Sequence, residues 1–243
     1  MWIYILCLIC IIVLVYCKRN HLHIRWFTFF KKGIRVSRGK WGVTVFNGKQ
    51  GQGKTTAIIE YLKDNKNLDI YCNIKGIKNI DYTYYEGLDG LMSVKKFLDG
   101  RKEKDDKQIV IVYDEIFTQL DKHTKLTKGV IDFLCQMRKR KVIFLTSCQA
   151  WGELPLSFRR FCRYEVDCFL INFLNMSILK RVYRDAENMI WNNDIQDFEA
   201  PILETTISKY RKSIADSFDT YYIIRSDTSP TGGVTTTPPI GDV

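Results

Sequence analysis

The chain has 243 residues, of which 46% are hydrophobic, a length and composition that support one substantial core. Its net charge of +10 is not by itself a mark of nucleic-acid binding. Ten basic residues (Lys18, Arg19, Arg25, Lys31, Lys32, Arg35, Arg38, Lys40, Lys49 and Lys54) precede the first acidic residue, Glu60, and the remainder holds 27 residues of each sign. A basic N-terminal run beside an apolar segment suits anionic lipid as well as it suits nucleic acid.

Met1 to Cys17 carries no charged side chain and reads as a transmembrane anchor. At 1.5 Å per residue it spans roughly 25 Å, slightly under a hydrocarbon core of about 30 Å. Trp2, Tyr4 and Tyr16 lie near its ends, where amphipathic rings favour the interface. No basic n-region or small-residue cleavage site marks a signal peptide. Eight Lys or Arg residues lie between Lys18 and Lys40 and none lies before. The positive-inside rule then predicts a single-pass protein with its N-terminus outside and its large domain in the cytoplasm.

Residues 18–40 form a basic segment interleaved with Trp26, Phe27, Phe29 and Phe30, predicted to lie at the membrane surface or under the domain. A domain is expected over residues 41–225. Val43 to Asn47 is a β-rich run, Lys54 to Lys63 a helix, Leu68 to Ile74 a strand and Leu88 to Leu98 a helix. Gln108 to Tyr113 is a continuous apolar strand of the kind buried on both faces of a parallel sheet. A helix near Lys128 to Arg140 leads into another buried strand, Val142 to Leu145. The alternation predicts an α/β fold with a parallel-core sheet flanked by helices. Alternating residues from Tyr164 to Leu170 and from Ile178 to Tyr183 predict antiparallel edge strands or a hairpin. The tail, 226–243, holds three of the five prolines with many Thr and Gly residues, and is expected to be disordered.

The eight cysteines show no zinc-site pattern, because the Cys7 and Cys10 spacing has no partner pair. They read as free thiols. His21, His23 and His123 form no metal spacing.

Chemistry concentrates in two places. Gly48, Lys49, Gln50, Gly51, Gln52, Gly53, Lys54 and Thr55 match a phosphate-binding loop, with Thr56 next in the following helix. Glycines let successive N–H groups converge on a β-phosphate, aided by the positive end of the helix. Lys54 is expected to reach the β and γ oxygens of ATP, and the Thr55 hydroxyl to ligate Mg²⁺. The second place is the apolar strand ending in Asp114 and Glu115. Asp114 is expected to hold the Mg²⁺ shell and Glu115 to polarise the attacking water.

Together with the later strand ending in Thr146, Ser147, Cys148 and Gln149, these motifs resemble the additional-strand, catalytic-glutamate P-loop ATPases. Within that division the chain is similar to the FtsK/HerA group, and most like the zona occludens toxin-like ATPases of filamentous phage assembly. The resemblance covers roughly residues 42–172. It implies that Gln149 senses the γ-phosphate, with Thr146 and Ser147 beside it. It further implies a ring, in which an arginine reaches the neighbouring subunit's γ-phosphate. Arg138, Arg140, Arg159, Arg160 and Arg163 are the candidates, with Arg159 and Arg160 favoured because they follow the sensor strand. Phage assembly ATPases of this kind carry their membrane span after the ATPase domain, whereas this chain has its apolar segment before it.

Three functions remain open at this point: a membrane ATPase motor moving DNA or extruding a virion, a nucleotide-dependent scaffold with little turnover, and a small-molecule kinase. Glu115 favours turnover, and no acceptor site or lid marks a kinase. Lipid, further copies of the chain, and DNA or virion proteins are the expected partners.

Overall fold

The computed structural model describes residues 2–19, 22–25, 41–100, 107–120, 123–137, 139–173, 176–193 and 197–218. Most of the basic segment, Arg138 and the tail from 226 lie outside the described residues. In chain order the elements are α1 (Trp2–Arg19), β1 (Leu22–Arg25), β2 (Gly42–Asn47), α2 (Lys54–Asp64), β3 (Leu68–Cys72), β4 (Thr83–Tyr84) and α3 (Gly87–Asp99). There follow β5 (Gln108–Tyr113), α4 (Lys128–Gln136), β6 (Ile143–Cys148), α5 (Leu156–Arg159), β7 (Cys162–Phe173) and β8 (Met176–Asp185). The chain then forms β9 (Ile190–Asn192), β10 (Asp197–Glu199), β11 (Ile202–Lys209) and α6 (Lys212–Ala215).

Nine strands form one sheet in the order β1-β11-β8-β7-β2-β6-β5-β3-β4, while β9 and β10 make a separate ribbon. From β7 to β4 all pairings are parallel, and β8 runs antiparallel to both β7 and β11. The parallel core and antiparallel C-terminal strands therefore match the sequence expectation. The hairpin of β7 and β8 is not at an edge, however, because β7 pairs in parallel with β2 in the middle of the sheet. Alternation marks a strand but does not say which neighbour it takes. β1, inside the segment read as juxtamembrane, pairs in parallel with β11.

Strand β6 is buried at every position and lies between β2 and β5, so its residues must be apolar or internally bonded on both faces. One core lies between the sheet and α3, α4 and α5, and includes Val45, Ile111, Phe133, Phe144 and Phe158. The opposite core holds Ile58, Ile59, Val112, Leu145, Tyr183 and Ile214, under α2 and α6. Within this second layer Arg181 on β8 is fully buried and donates to Glu60 of α2 at 2.8 Å and to Ser208 of β11 at 2.9 Å. Removing charge from water costs several kcal/mol per ion, a cost that the two hydrogen bonds from the guanidinium partly offset. The pair fixes the helix that follows the glycine-rich loop to the antiparallel half of the sheet.

Helix α1 presents its apolar side chains, from Ile5 to Val15, to the outside. Its last turn contains Lys18 and Arg19. The uncharged stretch before them measures about 24 Å at the usual rise per residue, short of a hydrocarbon core of about 30 Å. Among the described residues no helix is long and apolar enough to cross a membrane. The transmembrane helix expected at the N-terminus is thus not supported by the structure.

Candidate functional site

At the carboxyl end of β2 the backbone turns sharply. Gly48 has φ +147°, and a Cβ there would sit 2.8 Å from the carbonyl oxygen of Cys168 on β7. Gly53, at φ +79°, precedes α2, and a Cβ there would meet Leu179 Cδ1 at 2.9 Å. Side chains rarely adopt either conformation, so the two glycines are required by backbone shape and by close packing. Between them the loop curls around a cation. The Lys54 ammonium donates to the carbonyls of Gly48 at 2.7 Å and Lys49 at 3.1 Å. Gln52 faces β7, where its Oε1 accepts the Leu170 N–H at 2.8 Å.

Opposite the loop, β5 delivers Asp114. The Thr55 hydroxyl donates to Asp114 Oδ2 at 2.7 Å, and the Ser147 hydroxyl donates to Asp114 Oδ1. Asn73, just past β3, fixes the same residue by its backbone: its Nδ2 donates to Asp114 O at 3.1 Å, and its Oδ1 accepts Asp114 N–H at 2.7 Å. Ser147 also accepts the Glu115 N–H at 2.9 Å. Thr55 at the start of α2 and Ser147 of β6 thereby hold the carboxylate of Asp114, while Asn73 after β3 holds its backbone. Glu115 follows with φ 55° and ψ 46°, a left-handed conformation that costs a side-chain-bearing residue roughly 1–3 kcal/mol. Burial and the neighbouring Asp114 charge raise its pKa above the ordinary carboxylate value, against a lowering from Lys54.

A cavity of about 350 Å³ opens between these parts. The loop and helix line it through Gln50, Gly51, Gly53, Lys54, Thr55 and Thr56, and the acid side through Asp114 and Glu115. Asn73, Ile74, Lys75, Tyr210 and Phe218 complete its wall. Loop, buried Lys54, Thr55 and the strand-borne acids share one cleft, with β6 inserted between the strands that carry them. The fold is that of a P-loop NTPase.

Searches of family models and of curated proteins returned no match. Among solved structures the chain is similar to the N-terminal domain of zonular occludens toxin from Neisseria meningitidis, with 16% identity, a TM-score of 0.46, and coverage of 73% of this chain and 98% of that one. It is also similar to the genome packaging NTPase of Sulfolobus turreted icosahedral virus 2 bound to ATP-gammaS, at 14% identity, TM-score 0.44, and 67% and 98% coverage. A third is the flagellar accessory protein FlaH from Methanocaldococcus jannaschii, at 15% identity, TM-score 0.40, and 67% and 89% coverage.

Other sequence-predicted residues stand apart from the cavity. Gln149 is exposed just after β6 and does not line it. Arg159 is half-buried at the end of α5, while Arg160 is exposed beside it. Arg163 donates to Trp41 O at 3.1 Å and faces Glu187 at 3.7 Å. Arg140 pairs with Asp99. Sequence reasoning missed Asn73, Lys75, Tyr210 and Phe218, none of which sits in a recognisable local motif.

The Thr55 hydroxyl and Asp114 carboxylate are hard oxygen donors held against each other at a helix start, a set that fits Mg²⁺. That ion takes one or two protein oxygens and fills its shell with water and phosphate. Among the described residues no group of three or more His, Cys, Asp or Glu could hold a metal ion.

Proposed function

We propose that the chain is an ATPase motor that hydrolyses ATP to drive DNA translocation or packaging, or virion assembly and extrusion. The observation that carries this reading is the 2.7 Å bond from Thr55 to Asp114, because it brings the phosphate-loop helix and the acid-bearing strand to one point. Lys54 and the loop amides bind and orient the triphosphate. Glu115 stands beside Asp114 on the cavity and accepts the proton of the attacking water. Its raised pKa makes it a better base than an ordinary carboxylate once it is ionised. Bound Mg²⁺ supplies charge neutralisation at the phosphates. Lys54, already buried at 7% exposure, holds positive charge where negative charge develops during phosphoryl transfer.

Gln149 as γ-phosphate sensor and Arg159 or Arg160 as a group acting on a neighbouring subunit belong to the same proposal. Both arginines lie away from the chain's own cavity, as a residue serving another subunit requires. Assembly into a ring follows from that role. Attachment to a membrane, with the N-terminus outside and the ATPase domain cytoplasmic, is supported by the outward apolar surface of α1 and by Lys18 and Arg19 in its last turn.

The test is ATP turnover by the purified full chain in detergent, with and without DNA and across a salt series. Turnover that is lost in Lys54→Ala and Glu115→Gln supports the ATPase. Salt-sensitive stimulation by DNA supports a DNA substrate. Tight ATP binding with no hydrolysis in an assembled ring would replace the motor with a nucleotide-dependent scaffold. Release from membranes by high-pH carbonate would remove the anchor.

A further inference from the structure

After β11 the chain does not leave the domain but crosses the nucleotide side of the sheet. Tyr210 N–H donates to Ser177 O at 2.8 Å, tying the start of this crossing to β8. Arg211 reaches over to α2, 3.3 Å from Glu60 and 3.7 Å from Asp64. Ile214 is buried in the core beneath α2. At the far end Ser217 O accepts the Lys78 N–H at 2.8 Å, and Ser217 Oγ accepts from Lys63 Nζ at 2.7 Å. The segment is a strap fastened at both ends, to the antiparallel strands and to the connection after β3.

This fastening carries two aromatic rings to the cleft. Tyr210 and Phe218, at the two ends of the strap, both line the cavity formed by the phosphate loop, and both remain partly exposed. The cavity is thus chemically divided. Lys54, Thr55 and the α2 N-terminus make a polar end suited to phosphate, and the strap supplies the only aromatic side chains among its described lining residues. A bare polyphosphate uses the first half alone; a flat heteroaromatic ring joined to a triphosphate uses both.

We propose that Tyr210 and Phe218 form the base-binding wall of this site, so that the strap selects a purine nucleoside triphosphate over pyrimidine nucleotides and over inorganic polyphosphate. The proposal rests on the phosphate-loop reading and assigns the other end of the same ligand. A bicyclic purine offers more stacking area than a pyrimidine, which gives the preference its direction.

The experiment is calorimetric titration of the full chain in detergent with ATP, UTP and inorganic tripolyphosphate, each with Mg²⁺ at one ionic strength. The unaltered protein is expected to bind ATP most tightly, then UTP, then tripolyphosphate. Tyr210→Leu with Phe218→Leu keeps apolar bulk under the strap but removes both π faces. It should weaken ATP binding by roughly five- to a hundredfold while leaving tripolyphosphate within about twofold, which also shows that the fold is intact. Tyr210→Phe with Phe218→Tyr should restore the preference. Equal affinity of the unaltered protein for ATP and tripolyphosphate overturns the proposal and leaves the phosphate-loop reading standing, as does an undiminished ATP preference in the double leucine variant. Binding of none of the three ligands overturns both.

Discussion

The Thr55 hydroxyl hydrogen-bonds the Asp114 carboxylate across 2.7 Å, although 59 residues separate them in sequence. The other carboxylate oxygen is held by Ser147 of β6, so three elements meet on one acid. If this acid organises Mg²⁺ beside bound triphosphate, Thr55→Ala, Asp114→Asn and Ser147→Ala should each weaken apparent Mg²⁺ affinity by roughly 10- to 100-fold. Pairs of these changes should cost less than the product of the single effects, because the residues act on one centre. Turnover measured against Mg²⁺ concentration at saturating ATP gives the answer, and fully multiplicative losses would argue against a shared site.

Glu115→Gln should retain ATP binding and lose roughly 10²- to 10⁴-fold in turnover, the contribution expected of a positioned base. The direction of the Glu115 shift adds a pH test. Burial and Asp114 raise its pKa, so the base is neutralised at a higher pH than an ordinary glutamate. The acid limb of turnover should therefore lie above the usual carboxylate range of about 4.3. An acid limb at or below that value would remove Glu115 as the base.

Gly48→Ala places a methyl group 2.8 Å from the Cys168 carbonyl at a backbone φ of +147°. The strand carrying that carbonyl is held in register by β8, where Cys168 pairs with Arg181, so it cannot simply swing away. The expected loss is about 1–3 kcal/mol of stability together with ATP binding. Urea unfolding compared with Gly152→Ala, where a Cβ meets nothing within 4 Å, separates this contact from a general effect of replacing glycine.

Glu165 lies on β7 beside Asn47, the last residue before the phosphate loop, and accepts its Nδ2 at 3.2 Å. Burial, then the Asp167 charge, raise its pKa to about 7 from an ordinary 4.5. The folded state therefore prefers the neutral acid. Its stabilising share is complete below pH 4.5 and disappears as pH rises through 7. Over that window the unaltered protein should lose up to about 3 kcal/mol relative to Glu165→Gln, at 1.36 kcal/mol per pKa unit. Parallel stability curves for the two proteins between pH 5 and 8 would contradict the assignment.

Arg181→Met leaves Glu60 buried without its 2.8 Å partner and should destabilise by about 3–5 kcal/mol. Arg181→Met with Glu60→Leu removes both charges and should recover much of the loss. Chemical denaturation of the single and double variants measures the difference, and a double variant as unstable as the single one would mean that the pair itself, rather than the loss of Arg181's compensation of the Glu60 charge, accounts for the effect.

The parts of the site legible in sequence were those carried by short continuous motifs. Gly48 to Thr55 encodes its loop locally, because the glycines sit where the backbone needs them, and the apolar run before Asp114 declares a buried strand. β6 was legible as a buried strand from Val142 to Leu145, and the polar residues expected at its end, Thr146 to Cys148, lie within it. The hydroxyls of Thr146 and Ser147 are satisfied by Tyr113 O and Asp114, which is what lets polar residues continue a strand buried on both faces. Tyr210 and Phe218 gave no signal, because what brings them to the cleft is a set of distant anchors on Ser177, Lys63 and Lys78. The uncharged run from Met1 to Cys17 reads as a membrane span by hydropathy, but among the described residues no helix is long and apolar enough to cross a membrane.

β2 stops at Asn47, but β7 runs six residues beyond its partner Asp167, to Phe173. Along that exposed margin the Cys168 carbonyl faces Gly48 and the Leu170 amide is held by Gln52, so the phosphate loop occupies the place of the missing strand. A loop seated in this way cannot reshape itself without freeing the Leu170 proton to solvent. Deuterium uptake at that one amide is consequently a native reporter of whether the loop is gripping or has let go, readable without a label anywhere near the phosphates.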